Sequence, residues 1–200
     1  MPTQLVYSDY TPKYDVDLYH YTLSGRLSEI MRDGTVRAKS CHYGLAKSAI
    51  YFTTNPVSEP TIWKRQDYIS PFVPIQLKLS SNALKYRRID IIRWTEYISG
   101  DWFSSNMFNS VSDKRYLESH YRSLVERYAH SKGVDPHEEW YLCLNNVSLY
   151  NFASPLVWYK NEWASIDKLD AAIAEARHET HQPLLDDQAG GINYLFSCRV

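Results

Sequence analysis

The stretch LYHYTLSGRLSEIMRDGTVRA, Leu18–Ala38, carries two periodicities back to back. In Asp17–Thr22 neighbours alternate across an extended chain, with Leu18, His20 and Thr22 on one face and Tyr19 and Tyr21 on the other. A short strand is expected there. From Leu23 the apolar positions Leu23, Leu27, Ile30 and Met31 recur at steps of four, three and one, the spacing of one helical face. Gly34 follows where a left-handed residue ends a helix at little cost, and Val36 onward returns to extended chain.

Working outward, Ala49–Thr53 (AIYFT) is a β-rich run closed by Asn55-Pro56, and Val73–Leu79 (VPIQLKL) alternates as a strand does. Between them, Pro60 predicts the first turn of a short helix carrying Ile62 and Trp63. Ser99–Ser112 is polar and reads as a long loop. The clearest helix spans Asp113–Lys132, with Tyr116, Leu117, Tyr121, Leu124, Val125 and Tyr128 as its apolar stripe. Gly133 stops it and Asp135-Pro136 turns the chain. Glu139–Leu144 (EWYLCL) and Leu156–Lys160 (LVWYK) read as strands, and Ser165–Arg177 as an amphipathic helix with Ile166, Leu169, Ile173 and Ala176 inward. Strands dominate and no βαβ train occurs. The expected fold is α+β: a single domain with a split, mostly antiparallel or mixed sheet and flanking helices. That domain is expected over residues 1–181, with 182–200 as a C-terminal extension in which Ile192–Phe196 (INYLF) has the pattern of one more strand.

Composition bounds the function. With 200 residues and 44% hydrophobic content the chain can bury a core of its own, without metal or disulfide. Its 22 basic and 23 acidic side chains leave a net charge of −1, which argues against wrapping along duplex DNA. The first twenty residues lack a signal-peptide pattern, and no apolar run has the length of a membrane span. Cys41, Cys143 and Cys198 form no Cys-x-x-Cys, so neither a zinc ribbon nor a redox pair is supported; a cytoplasmic monomer is expected. The 17 Tyr and 6 Trp are enough to build both core and stacking surfaces.

Three blocks carry the chemistry. Leu18–Ala38 is a strand ending in His-Tyr-Thr, then a helix closed by glycine. AIYFTTNPVSEPTIWK, Ala49–Lys64, is a strand followed by a turn and a short helix. HEEWYLCL, His137–Leu144, sets a carboxylate before a late strand. In this order they resemble the ADP-ribosyltransferase-like superfamily, in its histidine–tyrosine–glutamate class of small bacterial or phage members, over about residues 17–164. The resemblance implies NAD as substrate and no metal, with Glu139 and His20 catalytic, and His20, Tyr21, Thr22, Arg37 and Tyr51 around the NAD. It implies a toxin or effector that modifies a macromolecule, protein or nucleic acid, inside a cell.

The physical roles stand beside that likeness. Breaking the nicotinamide–ribose bond passes through an oxocarbenium-like transition state, and a nearby carboxylate stabilises the charge that develops there. Glu139 also suits a ribose hydroxyl. His20 can donate to a ribose hydroxyl while its second nitrogen is fixed, Tyr51 can stack on nicotinamide, and Arg37 can fork a pyrophosphate. Whether Glu138 or Glu139 points inward is open, because strand neighbours face opposite ways. The class that modifies arginine has a second carboxylate or glutamine two residues before the glutamate, where this chain has His137, and it carries a Ser-Thr-Ser strand that is lacking here. The acceptor is therefore open.

Two other functions compete. His20-Tyr21-Thr22 with His178-Glu179-Thr180 forms a pair of His-x-Thr motifs, as in two-histidine phosphoesterases. Alternatively, a drifted NAD fold binds protein or single-stranded nucleic acid through Lys85, Arg87, Arg88 and Arg93 near Tyr86 and Trp94. A Cys41 nucleophile, or a zinc site from His42, His120, His130 and His137, has no supporting spacing.

Overall fold

The structure, a computed structural model, describes residues 14–39, 48–57, 73–87, 89–99, 119, 122–123 and 125–179. Nine strands and six helices are named here: β1 (Leu18–Leu23), α1 (Ser24–Asp33), β2 (Thr35–Val36), β3 (Ile50–Thr53), β4 (Pro74–Leu79), α2 (Ser81–Arg87), β5 (Ile92–Arg93), α3 (Trp94–Ser99), α4 (125–131), α5 (Pro136–Glu139), β6 (Trp140–Cys143), β7 (Val147–Ser148), β8 (Leu156–Tyr159), β9 (Glu162–Ser165) and α6 (Leu169–Glu179). Seven strands form one sheet in the order β5-β6-β3-β1-β4-β8-β9, and every neighbouring pair is antiparallel. β2 and β7 make a separate two-stranded sheet. The expected α+β architecture is what the chain adopts.

The opening stretch folds as read. β1 pairs along its whole length with β4, from Leu18↔Leu79 to Leu23↔Pro74. α1 ends at Gly34, whose φ of 61° is left-handed and whose N–H reaches the Ile30 carbonyl. Leu27 is buried and Ile30 packs beside it, but Met31 stands 57% exposed, so the stripe is narrower than its spacing predicted.

Pleating divides the core in two. One face carries Leu18, Ile50, Phe52, Ile75, Leu77, Leu79, Tyr141, Cys143 and Val157, packed with Leu27 of α1, Leu84 of α2 and Ala172 of α6. The other face, over β5, β6 and β3, carries Leu142 and Trp140 against Trp94 and Tyr97 of α3 and Val125 and Ala129 of α4. α6 presents Leu169, Ile173 and Ala176 inward as expected, and Ile166 sits in a 3-10 turn just before it. The described part of the Asp113–Lys132 helix is helical and packed beside the sheet.

The structure differs from the reading at several points. Asp135-Pro136 does more than turn the chain: the Asp135 side chain accepts from His137 N at 3.0 Å, Pro136 takes the first helical position, and α5 forms through Glu139. The strand predicted from Glu139 therefore begins at Trp140. Lys85 and Arg87 lie on α2 and Arg93 on β5, while Arg88 lies outside the described residues; Tyr86 is 77% exposed whereas Trp94 is fully buried. Leu156–Tyr159 turns through Lys160 and Asn161, both left-handed, into the unpredicted β9. The helix expected at Pro60, most of the Ser99–Ser112 loop and the 182–200 extension lie outside the described residues.

Candidate active site

The three sequence blocks meet in the middle of the sheet. β1, β3 and β6 are consecutive strands, paired through Tyr19↔Thr53 and Thr53↔Trp140. The register continues one step past β6, where Thr54 N donates to the Glu139 carbonyl at 3.0 Å.

His20 sits mid-strand on the face that carries Phe52 and Leu77, with its ring 5.9 Å from that of Phe52. Its Nδ1 lies 2.8 Å from the Tyr51 carbonyl. A carbonyl only accepts, so Nδ1 carries the proton. Burial pushes the imidazole below its ordinary value, outweighing the bond to Tyr51, which favours the charged form. The ring is thus neutral at pH 7 with Nε2 as an acceptor. The sequence reading had His20 donating to a ribose hydroxyl; the tautomer reverses that, since Nε2 can only accept.

Carried two residues along from Tyr19↔Thr53, the register sets Tyr51 opposite Tyr21, so the two share the opposite face. The Tyr51 ring packs edge-on to Tyr97 at 6.5 Å, and its backbone, not its ring, meets His20. The expectation of a Tyr51 ring beside His20 is corrected by this parity. Phe52, Tyr141 and Tyr159 are aromatic residues on the His20 face. Tyr21 is buried on the far face, where its hydroxyl donates to the Asn55 carbonyl at 2.8 Å and accepts from Gln76 Nε2 at 2.9 Å. Thr22 shares the His20 face and is half-buried. Arg37 pairs with Asp33 at 3.0 Å on the surface.

Glu139 is half-buried and Glu138 is exposed. The Glu139 carboxylate reaches back over α5, with Oε1 accepting from Asp135 N at 3.1 Å. It closes a reciprocal cap, since Asp135 in turn caps His137 N. One oxygen is pinned; Oε2 has no partner among the described residues. His137 turns away, with Nε2 2.9 Å from Glu126 Oε1, the same oxygen that Arg122 Nε approaches at 3.0 Å and Trp94 Nε1 at 3.3 Å. That node ties α5 to α4 and fixes the position from which Glu139 departs. By strand spacing and rise, the His20 and Glu139 Cα atoms are roughly 12 Å apart, so the two can hold different hydroxyls of one extended ligand rather than a single atom.

A residue that sequence reasoning set elsewhere joins this face. Arg93 pairs with Tyr141, which continues the row from His20 and Phe52. Its guanidinium lies over the Tyr141 and Tyr14 rings at 5.8 and 5.3 Å. Ile91, Ile92 and Arg93 show no apolar–polar alternation, and the strand is only two residues long, so no sequence signal placed Arg93 here.

His178 lies in α6, with its side chain and Thr180 outside the described residues, so the second His-x-Thr has no geometry to weigh. Among the described residues no group of three His, Cys, Asp or Glu is set to hold a metal ion, and no helix is long and apolar enough to cross a membrane. No family model, curated protein or solved structure significantly matches the chain.

Proposed function

We propose that the protein is an ADP-ribosyltransferase of the histidine–tyrosine–glutamate kind, moving ADP-ribose from NAD to a cytoplasmic macromolecule in the manner of a toxin or effector. One observation carries the reading: three blocks far apart in sequence occupy consecutive strands, with His20 held in one tautomer and Glu139 pinned through a single oxygen. A dinucleotide with two riboses suits two acceptors set apart in this way. His20 Nε2 takes a hydroxyl of one ribose. Glu139 Oε2 takes a hydroxyl of the other, beside the carbon where charge develops. The bond between that carbon and the nicotinamide nitrogen breaks, and nicotinamide leaves neutral with the bonding pair. The acceptor's nucleophile then bonds to the carbon and releases a proton.

The test is turnover of labelled NAD in a cell lysate. Glu139→Gln keeps an acceptor oxygen for Asp135 N and so keeps the cap; nicotinamide release is expected to fall about a hundred- to a thousandfold with little change in NAD affinity. Glu138→Gln is expected to be nearly silent. If neither change affects turnover, or if the wild type releases no nicotinamide and labels nothing, the reading falls.

A further inference from the structure

The side chains of Lys85, Tyr86 and Arg87 on α2 are exposed and take no ion pair, hydrogen bond or ring contact among the described residues. That sets them apart on this surface. Arg26, Arg32, Arg37, Lys78, Arg122 and Lys168 each pair with a carboxylate, and Lys132 and Lys160 lie over tyrosine rings. With 22 basic and 23 acidic side chains the protein has acid enough for Lys85 and Arg87 too, yet no ion pair joins either to Asp90, the acid that follows them most closely. Cations left unpaired keep a local positive potential on a chain whose net charge is −1. The ring between them is 77% exposed. Tyr150 is exposed further, at 92%, but its neighbours in sequence are Leu149 and Asn151, which carry no charge.

Helix geometry makes one surface of the three. Successive side chains turn by about 100°, and Leu84 is fully buried in the core, so Tyr86 points away from the sheet with Lys85 to one side and Arg87 to the other. Asn82, one turn before Tyr86 and also exposed, lengthens this outer face. A ring with a cation on each flank matches a nucleotide strand, in which every base has a phosphate on either side: the base stacks and the phosphates meet the cations. An acidic peptide uses the cations and leaves the ring idle, and a duplex hides its base faces.

The helix also leaves the sheet at the end where Glu139 stands. Leu79, two residues before α2, pairs with Leu18, and the next row joins Tyr19, Thr53 and Trp140, which follows Glu139 directly. Ser81 N donates to Asp17 Oδ1 at 3.0 Å, which fixes where α2 starts. β4 and β6 are three strand spacings apart, roughly 14 Å. A bound strand of about four nucleotides or more, the usual extent of such contacts, covers that distance.

We propose that the outer face of α2 docks a single strand of nucleic acid, with a base on Tyr86 and phosphates on Lys85 and Arg87. The docking does not depend on the NAD reading; the strand's part as acceptor of ADP-ribose rests on it.

Fluorescence anisotropy of the whole protein with labelled oligothymidylate and oligouridylate tests this, because base faces and phosphates are common to DNA and RNA. Both are expected to bind, and more tightly than a duplex of the same length. Tyr86→Ala is expected to weaken binding about five- to a hundredfold, the range for losing one stacked base, while Tyr86→Phe keeps the ring and the affinity. Lys85→Gln combined with Arg87→Gln is expected to weaken binding and to flatten its logarithmic dependence on salt by about 0.7 for each cation removed. Lys168→Gln, an exposed change of the same charge, is expected to leave binding unchanged. Failure of both oligonucleotides to bind, undiminished binding by Tyr86→Ala, or equally tight binding of polyglutamate overturns the docking face, and release of nicotinamide from NAD then judges the reaction on its own. If the strands bind through Tyr86 but take no label from NAD while a lysate protein does, the docking face stands and the strand's role as acceptor falls. If they bind and NAD is not turned over at all, the docking face stands without the reaction.

Discussion

His20 shows how one backbone bond sets the chemistry of a ring. The Tyr51 carbonyl forces the proton onto Nδ1, and burial keeps the imidazole neutral. A histidine whose folded value lies below its unfolded one adds stability that is fully present above the unfolded value of about 6.5. As the pH drops, the unfolded chain takes up the proton first, and the contribution is lost as the pH falls through the folded value. The wild type is therefore expected to lose thermal stability between pH 8 and pH 5 by more than His20→Asn does, with the other six histidines common to both chains. Melting curves at the two pH values decide it, and an identical loss in both proteins removes His20 from the account. At this scale the sequence was half legible. Alternation placed His20 and Thr22 on one side of β1, but one strand's alternation says nothing of its partner's register. AIYFT is apolar on both faces, because β3 is covered on both, so Tyr51 and Phe52 were interchangeable until pairing decided between them.

Elements were readable where their signals were long. α1, β1, β4 and α6 span six to eleven residues, and their periodicity and stop signals placed each to within a few residues. α5 has four residues, too few for any helical period, and it showed only as an Asp-Pro that serves a turn and a helix start equally well. β5 has two, which is why Arg93 was grouped with its charged neighbours in sequence instead of with its partners in space. The β8–β9 hairpin was hidden for a different reason. Its two-residue loop holds Lys160 at φ 50° and Asn161 at φ 64°, the mirror-image turn that suits twisted strands and usually announces itself as Asn-Gly. Lysine tolerates that backbone poorly. Lys160→Asn is expected to raise stability by about 0.5 kcal/mol, since asparagine visits the left-handed region more readily and the side chain here is exposed. Urea unfolding measures it, and a loss of stability means that the Lys160 ring contact with Tyr159 at 5.2 Å matters more than the turn.

The whole molecule is one sheet with a different cluster on each side, and β6 serves both: Tyr141 and Cys143 enter one, Trp140 and Leu142 the other. The two clusters should not melt separately. Leu142→Ala, which empties a fully buried site on the α3–α4 side, is expected to cost about 2–5 kcal/mol and still give one transition, coincident by far- and near-ultraviolet circular dichroism. Two resolved transitions would mean that the faces are independent. The sheet's order also bears on how the chain comes off the ribosome. β1 is made first yet lies in the centre, flanked by β3 and β4, while the outermost strands β5 and β9 are made later. Until Ile50–Thr53 has been synthesised, Leu18–Leu23 has neither of its partners, and one of its edges stays bare until Pro74–Leu79 follows. The strand made first is thus the one that starts with no partner on either edge, and its place at the centre is fixed only when the chain through Leu79 has followed it.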